Sequence, residues 1–196
     1  MIYFLRNLLA LIGLLSVAGV IYLAVQLEPT MRVVDGFEDK AADFYLETME
    51  KLLKTGSMAD ATVWKVPVAD GLSAAEVEET MKSVANEHNI KNVGELPLYK
   101  EIEAMGGKPY RYVKIFMFCN AMTASRMIDY SDAFSAYLPC RVSLIEDKSG
   151  KLWIYSLNMD GMIYGGKPLP PALKTEAEGV KDTILDIMHR GASGDF

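Results

Sequence analysis

The sequence predicts an α+β domain, an antiparallel sheet with helices on one face, preceded by one transmembrane helix. Three observations carry that expectation. Residues 7–27 contain no charged side chain. Beyond residue 61, runs with the period-two alternation of strands are interleaved with runs of helical period. Their order is strand, helix, several strands with a short helix inserted, then a terminal helix, which packs most simply as an antiparallel sheet under helices.

The first run decides where the chain works. As a helix, residues 7–27 reach about 30 Å, the hydrocarbon thickness of a bilayer. Arg6 precedes the run, whereas Glu28, Asp35, Glu38 and Asp39 follow it. Positive charge stays on the cytoplasmic side, so the amino terminus is expected in the cytoplasm and the rest in the periplasm of a bacterial inner membrane, as a single-pass protein. A cleaved signal peptide is the rival reading, since Ser16-Val17-Ala18 has the small-x-small pattern. A cut there would leave residues 19–27 as an apolar stub, which favours retention. The expected division is 1–28 as anchor, 29–61 as connector and amphipathic helix, and 62–196 as exported domain.

Composition narrows the classes. Hydrophobic residues make up 51% and charged residues 23% of the 196 positions, which suits a packed core and excludes disorder. The net charge of −6 and the lack of a Lys/Arg cluster argue against nucleic acid as a partner. The same acidity disfavours a polybasic contact with anionic lipid. Partners expected are membrane lipid through residues 7–27, and other membrane subunits or a second copy as a homodimer.

Pro29 is expected to end the membrane helix, with a connector running to Gly36. Phe37, Ala41, Phe44, Tyr45, Thr48, Met49, Leu52 and Leu53 then recur at helical spacing until Gly56, and this apolar stripe must cover something. Residues 62–68 (TVWKVPV) read as a strand, with Pro67 pointing to a sheet edge. Ser73 and Glu76 form a capping box for a helix carrying Val77, Met81, Val84 and His88. A second strand is expected over residues 92–102, followed by a turn at Gly106-Gly107. Residues 110–119 (YRYVKIFMFC) make the strongest strand, apolar on both faces. A short helix over 121–130 follows. Strands 141–146 and 151–157 are joined as a hairpin by Asp147-Lys148-Ser149-Gly150. The last helix carries the stripe Leu173, Ala177, Val180, Ile184 and Ile187, and Gly191 is expected to end it.

Few residues could carry chemistry. The only two cysteines are Cys119 and Cys140. Strand alternation puts Cys119 with Ile115 and Met117, and Cys140 with Val142 and Leu144, so neighbouring strands would point both thiols into one core layer. Three readings stay open: buried apolar thiols, a structural disulfide, or a redox pair. Met117, Met122, Met127, Met159 and Met162 raise the question of soft-metal ligation. Without a Met-x-x-Met repeat or an adjacent histidine they read as core filling, and no metal or other cofactor is expected. His88 and His189 sit near helix ends, where a cation is favoured. There is no C-x-x-C-H motif, P-loop, dinucleotide fingerprint or nucleophile elbow. The glycine-rich segment 158–171 is expected as a long loop offering Met162, Ile163 and Tyr164 to a partner.

FCNAMTASRMI (118–128), YLPCRVSLIED (137–147) and SGKLWIYSLNMD (149–160) resemble the family catalogued as domain of unknown function 302. The resemblance covers residues 62–196, with Ala121 where the family commonly has proline. It implies a β-α-β-rich fold similar to the TATA-box-binding-protein-like architecture, often dimeric, and names no reaction. That fold hosts unrelated functions, so DNA binding does not follow. The expectation is an interaction protein, an accessory subunit of a larger membrane assembly of respiratory electron-transfer type, with no catalytic residue assigned. The alternative is a small-ligand or thiol redox module using Cys119, Asn120, Pro139, Cys140 and Arg141.

Overall fold

A computed structural model describes residues 2–196. In chain order the elements are α1 (Ile2–Val34), α2 (Ala41–Thr55), α3 (Met58–Ala61), β1 (Val63–Pro67), α4 (Ala74–Glu87), β2 (Lys91–Leu96), α5 (Leu98–Gly106), β3 (Val113–Cys119), α6 (Ala121–Tyr130), β4 (Cys140–Glu146), β5 (Leu152–Leu157), α7 (Asp160–Tyr164) and α8 (Pro171–Ser193). The strands form one antiparallel sheet in the order β1-β5-β4-β3-β2. The expected α+β class is what the chain adopts.

α1 is long and apolar enough to cross a membrane. It does not stop at Pro29. Proline removes one hydrogen bond, to the Val25 carbonyl, but the turns beyond it still form, and Asp35 N–H donates to the Met31 carbonyl at 2.8 Å. Glu28 and Arg32 pair across that last stretch. α2 begins at Ala41 rather than Phe37 and ends where expected, at Gly56 in the left-handed region (φ 67°).

The sheet's covered face lies under α4 and α8. Phe116, Phe118, Val142, Leu144 and Ile154 point into this layer, against Val77, Met81 and Val84 of α4 and Ile184, Ile187 and Met188 of α8. Burying one such side chain contributes about 1.5–3 kcal/mol, so this layer is the main source of stability. The capping box forms as expected: Glu76 N–H donates to Ser73 Oγ, and the Ser73 N–H donates to the Glu76 carboxylate at 2.7 Å. β1 is an edge strand, where Pro67 loses nothing by lacking an N–H.

Further boundaries differ from expectation. β2 stops at Leu96, and Pro97 opens α5, because 98–105 are good helix formers released by the proline. α8 runs through Gly191 to Ser193 and is capped by Gly194 (φ 78°). Gly191 serves packing instead: a Cβ there would stand 2.5 Å from Met81 Cγ. Within the expected loop 158–171, Asp160–Tyr164 winds into α7, which buries Ile163 (1% exposed) and Tyr164 (4% exposed). Met162 is partly buried against the core. These three side chains therefore turn inward and do not offer an outer face, because the loop folds back over α8.

α4 and α8 leave the sheet's second face open along β4 and β5, while α5 packs against β3, where Val113 is buried. Ile115, Met117, Ile145, Trp153 and Tyr155 are half-buried there, beside the exposed Leu96 and Leu157. Polar interruptions are few: Lys65, Ser143 and Arg141. A solvated face of an antiparallel sheet is ordinarily polar.

Candidate functional site

At one end of the sheet the chain makes a pocket from segments far apart in sequence. β3 delivers Phe118 and Cys119. Asn120 then caps α6, its side-chain oxygen accepting from Met122 N–H at 3.1 Å and Thr123 N–H at 3.2 Å. The chain returns through a 3-10 turn (Asp132–Ala136) and a cis Leu138-Pro139 bond into Cys140 at the head of β4. Ser156 and Leu157 of β5, Met159, Met162, and Ala177 and Val180 of α8 complete the wall. The cavity, open to solvent on one side, is about 50 Å³.

Four of the five nominated residues line it: Cys119, Asn120, Cys140 and Arg141. Pro139 does not, although its neighbours Leu138 and Cys140 do. The thiols do not share one sheet face. Phe118 pairs with Cys140 across β3 and β4, so Cys140 belongs to the Phe116/Phe118 face and Cys119, one residue on, to the other. They reach the same pocket because Cys119 ends its strand at the pocket rim. Both are free thiols. Burial, and secondarily Cys119, pushes the Cys140 thiol up to about 11; burial also raises Cys119. Neutral thiols are poor nucleophiles, which weighs against a catalytic cysteine.

The pocket's other polar groups are turned aside. Ser156 Oγ donates to the Arg141 carbonyl at 2.9 Å, and Thr123 Oγ1 donates to Glu176 at 3.2 Å. Arg126 Nε donates to the same carboxylate at 2.8 Å, closing the rim between α6 and α8. What remains facing inward is mostly hydrocarbon and sulfur.

A second cleft went unread in the sequence. Lys114 Nζ lies 2.6 Å from both Glu78 and Glu95, Lys82 lies 2.8 Å from Glu95, and Tyr112 donates to Glu78. Burial alone would lower the Lys114 pKa, but the two carboxylates raise it. Burial and then Glu78 raise that of Tyr112. Lys114, charged inside an apolar strand, was the one sequence signal of this network. Its charges are mutually paired, so it clasps α4 to β2 and β3 and leaves no group free to react. His88 Nε2 lies 2.8 Å from the Asp186 carboxylate, and His189 is exposed. Among the described residues no group of three or more His, Cys, Asp or Glu could hold a metal.

No curated protein matches the chain. A crystal structure of an uncharacterized conserved DUF302 protein from Bacillus stearothermophilus superposes with a TM-score of 0.54 at 17% identity, over 66% of this chain and 97% of that one. Such a likeness shows the shared fold. The family model for DUF302, a domain of unknown function, matches residues 64–190, which include all five strands except the first residue of β1, together with the pocket. The chain therefore belongs to the DUF302 family.

Proposed function

We propose that the chain is a membrane-anchored interaction protein, its domain held on the periplasmic face of a bacterial inner membrane as an accessory subunit of a larger, respiratory-type membrane assembly. The uncovered sheet face carries this reading. A surface displaying Ile115, Met117, Ile145, Trp153 and Tyr155 together is what marks contact sites on soluble domains. Trp and Tyr are also the residues enriched where proteins meet. α1 supports the same reading, since its apolar side chains from Tyr3 to Val34 stand exposed and need lipid or another helix.

Gentle detergent extraction from the native membrane followed by native mass measurement tests it. The expected result is a complex containing at least one other membrane protein, lost on Ile115→Arg or Tyr155→Glu. A monomer or bare homodimer under all extraction conditions would overturn it.

A second reading is favoured by the pocket: a site for a small ligand at Cys119, Asn120, Cys140 and Arg141. The existence of a cavity at those residues supports it, whereas the raised thiol pKa values weigh against its redox form.

A further inference from the structure

Both cysteines and three methionines, Met127, Met159 and Met162, line the one cavity between β4, α6, α7 and α8. They arrive from β3, β4, α6 and the segment after β5, so no local spacing announces them. Met117 and Met122, nearer to Cys119 in sequence, are excluded: Met117 lies over Gly94, 2.6 Å from where a Cβ would sit, and Met122 is 64% exposed. No carboxylate and no imidazole lines the cavity. A donor set of thiols and thioethers without oxygen anions suits a soft monovalent ion and offers nothing to hard divalent cations. The free space inside it, about 50 Å³, has room for a bare ion.

We propose that this pocket is a Cu(I) site, with the sulfurs of Cys119 and Cys140 as anionic ligands and thioethers of Met127, Met159 and Met162 completing the shell. The inference rests on the second reading above, that the pocket holds a ligand. On binding, each thiol S–H bond breaks, its proton leaves to solvent, and a sulfur–copper bond forms. Copper remains in the +1 state and no electron is exchanged, so two protons are released per ion. The charged and titratable groups around the thiols are few: Tyr137 and the exposed Arg141 in the wall, and the Arg126–Glu176 pair at the α6/α8 rim.

The test uses the full chain in detergent, reduced and anaerobic, competing for Cu(I) against bicinchoninate. One Cu(I) withdrawn per chain is expected. Cys119→Ser and Cys140→Ser should each lower affinity at least tenfold, while Met117→Leu, outside the pocket, should leave it unchanged. No withdrawal, or wild-type affinity in the double cysteine variant, overturns the proposal. Should Cys140→Ser fail to fold, X-ray absorption on the wild-type chain decides: a sulfur-only shell supports the site, and nitrogen or oxygen ligands sink it. Xenon NMR on the metal-free chain separates the two failures. Xenon uptake without Cu(I) binding removes the metal but keeps a ligand pocket, whereas neither binding removes both.

Discussion

Cys140 illustrates how a position decides a side chain's chemistry. Its thiol is held at about 11, so in the folded chain it stays protonated through the physiological range. The sign of the linkage follows from that. A thiol whose pKa is raised by folding leaves stability intact below the unfolded value of about 8.5 and erodes it as pH climbs toward 11. Iodoacetamide at pH 8 should leave Cys140 unmodified in the native chain and label it fully in denaturant; native labelling at the rate of a free thiol would contradict the burial. Gly191 is decided by position too. Gly191→Ala gains about 1 kcal/mol of helix propensity, but drives Met81 from its place, and overpacking of that kind costs about 1–3 kcal/mol. A lower urea midpoint with unchanged slope is expected. The sequence alone read Gly191 as a helix stop, because a glycine kept for close approach and a glycine kept for a left-handed cap look identical without the facing residue. The two cysteines were nominated together from the sequence, but the pocket they share depends on one strand ending at Cys119, a fact that alternation could not supply.

Elements with a complete local code were legible. The Ser73/Glu76 box, the Asp147–Gly150 hairpin, α6 and the buried stripe of α8 all carry their instruction within a few residues. Elements decided by distant partners were not: α5 hid behind the apparent alternation of 92–102, and α7 behind its glycines. The clasp of Glu78, Glu95, Lys82 and Lys114 was invisible for the same reason, being assembled from three elements. Its contribution has a definite pH signature. Burial pushes the Glu95 carboxyl up, but hydrogen bonds from Lys114, Lys82 and Asn92 outweigh it and hold the group at about 2. A depressed carboxylate stabilises the fold above its unfolded value of about 4.3 and loses that contribution as pH falls toward 2. Glu95→Gln should therefore cost on the order of 1–2 kcal/mol at pH 7, after allowing for solvent screening, and far less at pH 2. Equal losses at both pH values would show that the clasp acts by packing alone.

At the scale of the whole molecule, the junction between α1 and the domain is the telling feature. Glu38 N–H donates to the Gly166 carbonyl at 2.7 Å, and Lys174 Nζ meets the Glu38 carboxylate at 2.6 Å. Tyr45 adds its hydroxyl to the Gly165 carbonyl at 2.5 Å, and Phe44 lies over Gly161. Beyond these attachments α2 still shows Tyr45, Leu46, Met49 and Leu53 to the outside, Leu53 at 80% exposure. The apolar stripe seen in the sequence is thus only half absorbed by its own domain. Lys174→Met should loosen the junction, and limited proteolysis between residues 35 and 40 should become several-fold faster; an unchanged rate would mean the backbone bond to Gly166 suffices. The same junction has a consequence for how the protein meets other molecules. A flexible leash of thirty residues sweeps roughly 30 Å, but here only residues 35–37 lie between the last turn of α1 and the first bond to the head. On the anchored reading the head rides at one fixed height above the lipid, so encounters are sorted by altitude before any chemistry begins.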